Sequence, residues 1–264
     1  MQSKITIQPY AENPSLCVII PTANRTDLLK EALDSVLAQS VLPDEIIIVD
    51  NGKQPATIND QSLKAIKIIR TAPCIGAAHA RNIGAHAAHS EYISFLDDDD
   101  LWDSKYLEMV KEAIVFYNPD IVVARLMRMG LSNTTEDAQE YKLFPTSYSE
   151  QREVCFRNPG FGGQNITIRA SLFAEIGGFD IKMPSSHDRD LAFRLLLANR
   201  VISVEPRAIA FLRDHDRRRE RASIVVGNTM FLLKHVFNMR VSETAKCIAM
   251  LGKRTFQLIK KNFG

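Results

Sequence analysis

Two hydrophobic periods alternate along the first half of the chain. Short continuous apolar runs, "LCVII" (16–20), "EIIIVD" (45–50), "AIKIIR" (65–70) and "EYISFL" (91–96), have the length and β-branched content of buried strands. Between them lie stretches with helical spacing. "TDLLKEALDSVLAQ" (26–39) has Thr26 as N-cap and Asp27 in the first turn. "GAAHARNIGAHAAH" (76–89) is Ala-rich, and "SKYLEMVKEAIVFY" (104–117) stops at Asn118-Pro119. "DIVVARLM" (120–127) returns to strand character. This alternation predicts an α/β fold: a mostly parallel sheet with helices on both faces, and ligands beyond the carboxyl ends of the strands.

From Gly130 to Asn158 the pattern dissolves into polar residues with isolated aromatics, which reads as a variable loop or insertion. It resumes with "QNITIR" (164–169), "ASLFAEIG" (170–177) and "HDRDLAFRLLLAN" (187–199). The charge-dense "RDHDRRRER" (213–221) follows, then two helical stretches divided near 239–244.

The strand ends carry the candidate chemistry. "CVII" runs into "PTANR", "EIIIV" into "DNGKQ", and "YISFL" into "DDDD". On an extended segment alternate side chains share a side, so Asp97 and Asp99 are expected to face one way and Asp98 and Asp100 the other. Carboxylates converging at a strand end make a hard-oxygen site for Mg²⁺ or Mn²⁺, which in turn holds a diphosphate. An acidic turn ahead of the helix near Ser104 is the plainer alternative. No G-x-G-x-x-G follows the first strand, which argues against a dinucleotide-dependent dehydrogenase. A sugar-phosphate nucleotidyltransferase would carry a Gly-rich loop there, and "PTANRTDLL" has none.

Composition narrows the class. The 264 residues are 45% hydrophobic and 24% charged, an ordinary globular make-up. Four scattered cysteines without a C-x-x-C pair fit a reducing compartment, so a cytoplasmic location is expected. The N-terminal "MQSKITIQPYAENP" has no apolar core of a signal peptide, and no apolar run reaches the roughly 20 residues of a membrane span. The net charge of +2 hides an asymmetry: residues 211–264 hold 12 Lys/Arg against 4 Asp/Glu. A basic tail suits an anionic partner, such as the inner face of a membrane, or simply a solvated helix surface.

Five segments, in this order, resemble the family 2 glycosyltransferases, which have the GT-A fold. They are "CVIIPTANR" (17–25), "EIIIVDNG" (45–52), "GAAHARNIGAHAAHSEYISFLDDDD" (76–100), "GFGGQNITIRASLFAEIGGFD" (160–180) and "HDRDLAFRLL" (187–196). The resemblance implies a catalytic domain over 1–221, with a nucleotide-sugar half (15–128) and an acceptor half (159–221), and a basic helical tail over 222–264. It implies an inverting transfer from a nucleoside-diphosphate sugar, UDP-sugar favoured, to a hydroxyl of a glycan or lipid-linked acceptor, with Mn²⁺ or Mg²⁺. It places Pro21, Thr22 and Asp50 at the nucleobase, with Asn51 where a second aspartate is usual. Arg81 belongs near base and ribose, Asp97 near ribose or sugar, Asp99 on the metal with His215, and Gly163 beside the donor sugar. A one-residue slip of the metal motif to Asp98 and Asp100 stays open. The catalytic base is implied to be Asp188, preceded by His187 where the family has glutamate. Asp190 is its rival, but Asp188 shares a helix face with Leu191 and Leu195 and so lies at the inner end of the buried stripe. No nucleic acid is expected as partner. A homodimer is compatible with the sequence, and a non-catalytic glycosyltransferase-like subunit is the remaining alternative.

Overall fold

The structure is a computed structural model and describes residues 13–58, 66–130, 134–213 and 221–263. Its centre is β1 (Leu16–Thr22), whose seven residues are all buried. β1 pairs in parallel with β2 (Glu45–Asp50) on one side and β4 (Tyr92–Phe95) on the other, and β2 pairs in parallel with β3 (Ile66–Arg70). Beyond β4 come β8 (Ile166–Arg169), β6 (Ile121–Arg128), β9 (Ile202–Leu212) and the two-residue β5 (Leu101–Trp102), and β7 (Gln139–Lys142) pairs with β6. β8, β5 and β7 run antiparallel to their neighbours, and the other strands share one direction.

Strand alternation divides the core into two layers. Leu16, Val18 and Ile20 meet α1 (Thr26–Leu37) and α3 (Tyr106–Tyr117) on one face. Cys17 and Ile19 belong to the other face, with α2 (Ala77–Ala87), α5 (Ala170–Glu175) and α6 (His187–Leu197). Both faces of the central strands are covered, which is why their sequences read as unbroken apolar runs. The loops that leave β1, β2 and β4 emerge at one edge, beside the start of α6.

Several details differ from the sequence reading. β3 is an edge strand and half exposed, not buried: Ile68 keeps 46% of its surface in water. Thr26 lies inside α1 rather than capping it, and Arg25 takes the cap position with no side-chain cap. The 130–158 segment carries β7 and a short α4 (Tyr148–Gln151), whose Ser147 accepts from the Glu150 amide. A bulge between Leu126 and Met127 lets both Tyr141 and Lys142 of β7 face the same cleft.

The expected C-terminal helices are α7 (Arg221–His235) and α8 (Val241–Phe263). Phe231 of α7 is fully buried in the same core layer as α6. α8 is anchored by Glu243, which accepts from Arg152 at 2.6 and 2.7 Å in a buried ion pair. Burial alone would raise the Glu243 carboxyl; the Arg152 and Arg240 hydrogen bonds outweigh that and hold it below its ordinary value.

Gly84 sets how closely α2 approaches the sheet: a Cβ there would stand 2.5 Å from Ile19 and 3.2 Å from Val49. Gly84→Val is therefore expected to lower unfolding free energy by about 1–3 kcal/mol through overpacking. Urea denaturation measures it, and an unchanged midpoint would show that the α2–β1 gap yields freely.

Candidate active site

The strand ends and the start of α6 enclose a cleft of about 820 Å³. One wall is Pro21, Arg25, Arg81 and Asp97 to Asp100; the other includes Leu126, Arg128, Tyr141 and Lys142; His187 and Asp188 also line it. β4 stops at Phe95, and the chain then turns, with the Asp100 amide donating to the Asp97 carbonyl at 3.2 Å. The turn breaks the expected alternation. Carboxylate oxygens of Asp97, Asp99 and Asp100 lie within 4.8 Å of one another, close enough to share a metal ion. Asp98 instead turns back into the protein and accepts from the Thr22 hydroxyl at 2.8 Å and from Arg25 at 3.1 Å.

This crowding shows in the protonation equilibria. Burial pushes the Asp98 carboxyl up to about 6, with the Thr22 hydrogen bond and the Arg25 charge pulling the other way. Asp100 is raised well above the carboxylate range by burial and by the charges of Asp97 and Asp99. Cations offset the rest. Arg25 donates to Asp99 at 2.6 Å, Arg81 pairs with Asp97, and the Arg213 amide donates to Asp100 at 3.0 Å.

Arg81 is buried and also meets His187 Nε2 at 3.2 Å. A guanidinium can only donate, so Nε2 accepts and a neutral His187 carries its proton on Nδ1. The Arg81 side chain fits because Gly163 has no Cβ: one there would lie 2.6 Å from the guanidinium carbon. Gly163 thus backs Arg81, while Gly160 and Gly162 line the cleft. Asp50 is buried and already holds the Gly52 and Ala56 amides, at 2.9 and 2.7 Å, and Arg70. Its carboxylate braces the loop after β2 and is not among the residues lining the cleft. Asn51 likewise donates to the Thr22 carbonyl at 2.9 Å. His215 lies outside the described residues.

Asp188 and Asp190 have different surroundings, but both are buried and Asp190 more deeply, whereas the helix-face reading put Asp188 at the inner end of the stripe and Asp190 elsewhere. Asp188 lines the cleft, and its buried Oδ1 has no hydrogen-bond partner and stands 3.5 Å from His187 Nε2. Asp190 is fully buried and engaged by Arg194 at 2.8 Å, His235 at 2.7 Å and Lys234 at 2.8 Å. Burial would raise its pKa, but the His235 hydrogen bond and the Arg194 and Lys234 charges win and hold it well below its ordinary value.

Sequence reasoning missed Arg25 and the β6–β7 wall, and it paired Asp100 with Asp98 as an alternative to Asp97 and Asp99, whereas Asp100 lies with those two. Arg25 had a visible signal, being a cation placed after the first strand end. The β6–β7 wall had none, because its pairing depends on a bulge.

The residues at 17–177 match the family model described as Glycosyl transferase family 2. The chain belongs to that family. It is 28% identical over 188 residues to an uncharacterised glycosyltransferase of Haemophilus influenzae, covering 69% of this chain and 62% of that protein. It is 26% identical over 211 residues to the pre-mycofactocin glycosyltransferase of Mycobacterium tuberculosis, covering 77% of this chain and 43% of that one. The chain thus spans about three fifths of the first relative's length and less of the second. Among solved structures it resembles S. aureus TarS 1–349 in complex with UDP-GlcNAc, with TM-score 0.65 and 18% identity over 92% of this chain and 73% of that one. At that identity the likeness shows the fold, the GT-A type of α/β sheet expected for the family.

The two α6 carboxylates are expected to behave oppositely. Asp190→Asn leaves His235 and Arg194 without their counter-charge and should cost about 3 kcal/mol of stability. Because the Asp190 pKa is depressed on folding, its contribution is present above the unfolded value near about 4 and is lost as pH falls below it. Asp188→Asn removes an unpartnered buried oxygen's charge and should leave stability unchanged or raised. Urea midpoints at pH 7 and pH 3 test both; a destabilised Asp188→Asn would make Asp188 a structural residue.

Proposed function

We propose that the chain is a metal-dependent, inverting glycosyltransferase that moves a hexosyl or N-acetylhexosaminyl group from a UDP-sugar to a hydroxyl of a glycan or lipid-linked acceptor. One observation carries the reading: a three-carboxylate cluster and Asp188, whose Oδ1 has no hydrogen-bond partner, share one cleft in a family 2 chain. The TarS structures, which contain UDP-GlcNAc or UDP, support a uridine donor. Polysaccharide or lipid-linked oligosaccharide assembly at the inner face of a membrane is the setting that fits.

The hard oxygens of Asp97, Asp99 and Asp100 suit Mn²⁺ or Mg²⁺, and the cluster already pairs with Arg25 through Asp99. A divalent ion held there supplies positive charge that stabilises the departing diphosphate. Pro21 lines the nucleotide end, Thr22 sits behind the cleft and holds Asp98, and Arg81 fixes Asp97. Asp188 takes the proton of the acceptor hydroxyl as its oxygen bonds to the anomeric carbon. The bond from that carbon to the diphosphate breaks, the electron pair leaves with the diphosphate, and the configuration inverts. A carboxylate with a free lone pair in a narrow cleft is poised for this role. Asp190, with both oxygens engaged, is not. Asp50 in this scheme acts on the base pocket through the loop it braces.

The test is nucleoside diphosphate release from a panel of sugar nucleotides with Mn²⁺. Asp188→Asn should keep donor binding, followed by thermal shift, while turnover falls about 10²-fold or more. Asp99→Asn should lose Mn²⁺ binding, read by electron paramagnetic resonance, together with activity. An active Asp188→Asn, or full activity in EDTA, would overturn the assignment.

A further inference from the structure

α8 has two apolar faces. The inner face, with Cys247 buried and Met250, Leu251 and Leu258 half-buried, rests on the protein beside the Arg152–Glu243 pair. The outer face is Val241, Ala245, Ile248, Gly252, Phe256 and Ile259, all exposed. At 100° per residue these six positions fall within about 80° of one another, so they form one stripe along the helix. Val241 is 88% exposed, Phe256 67%, Ile248 54% and Ile259 51%. Phe237, in the turn that precedes α8, is 96% exposed.

The charges say what covers the stripe. Lys246, Lys253 and Lys260 recur every seven residues and run along one side of it, exposed. Lys246 holds its ammonium 5.0 Å from the Phe156 ring, and Lys253 and Lys260 are exposed. Glu243, the one carboxylate of α8, is turned inward and neutralised by Arg152. The outer surface is therefore apolar and purely cationic. A second copy of the chain packing by a two-fold axis would set lysine rows near each other with no carboxylate on the stripe to relieve them. An anionic bilayer satisfies both halves: acyl chains take the stripe and headgroups take the lysines. No helix among the described residues is long and apolar enough to cross a membrane, so the contact lies in the interface plane.

We propose that the outer face of α8 docks the protein on an anionic membrane surface. The inference rests on this surface alone, so its failure would leave the transfer chemistry untouched. The α7–α8 pair is tied to α6, so docking would hold the cleft at a fixed attitude to the lipid.

Full-length protein is sedimented with vesicles of phosphatidylcholine alone or mixed equally with phosphatidylglycerol. Binding is expected only to the anionic vesicles and to weaken with salt. Phe256→Ser with Ile259→Ser should lower the partition coefficient by about tenfold or more. Lys253→Gln with Lys260→Gln should remove the preference for phosphatidylglycerol. All four positions are exposed, and unchanged melting of each variant confirms folding. Absence of binding at low salt, or binding indifferent to both variants, would overturn the proposal. So would sedimentation equilibrium showing a dimer that Phe256→Ser with Ile259→Ser dissociates, because that would make a second copy the occupant.

Discussion

The site depends on one buried guanidinium. Arg81 comes from α2, pairs with Asp97 at the end of β4 and meets His187 at the start of α6. It therefore ties the carboxylate cluster to the turn that presents Asp188. Its position rests on an absence, the missing Cβ of Gly163, and on the Phe179 ring 5.3 Å from its carbon. A lysine could not replace it, since one point charge cannot bond two partners on opposite sides in a fixed plane. The spacing between the two carboxylate groups is thus fixed by a side chain that neither group belongs to.

The same cluster explains why the rest of the cleft is cationic. Four successive aspartates at a core strand end repel each other, and each finds a different relief. Asp97 takes Arg81, Asp98 takes Thr22 and Arg25, Asp99 takes Arg25, and Asp100 takes a backbone amide and a raised pKa. Relief is partial, and the residual negative potential is what a divalent ion would answer. Crowding of this kind at a core strand end is a usual sign of a functional site.

Much of this was legible in the sequence, for physical reasons that can be named. β1, β2 and β4 are covered on both faces, so their apolar runs are continuous and unmistakable. Helical spacing sends Asp188 and Asp190 to different surroundings, but periodicity did not show that Asp190 would be the more deeply buried of the two, because that burial comes from α7. What failed were inferences that needed a neighbour. Asp100 joined the cluster because the chain turns after Phe95, and nothing in four identical residues marks where extension ends. β3 looked buried because Ile66, Ile68 and Ile69 are apolar, yet among the described residues no strand pairs with its outer edge. β7 is polar and bulged, so its place on the cleft wall follows from pairing with β6 alone. The tail showed apolar spacing but not that it held two stripes, because periodicity groups residues without saying which group meets protein.

The first turn of α6 shows how these parts act together. Its four residues are all buried, and each is held by different partners. His187 meets Arg81, and Asp188 opens to the cleft. Arg189 donates to the Val154 and Cys155 carbonyls at 2.9 Å and to Asn228 of α7. Asp190 takes His235 and Lys234, also of α7. The turn is entered through Ser186 in the left-handed region, at φ 66°, a costly conformation for a residue with a Cβ. Such a turn keeps its shape only if it is held from several sides, and two of the four holds come from α7. The C-terminal helices are therefore part of what aims Asp188. α8 in turn packs on α7 and, through the Arg152–Glu243 pair, on the segment whose Val154 and Cys155 carbonyls hold Arg189, so both routes from the C-terminus end at this turn.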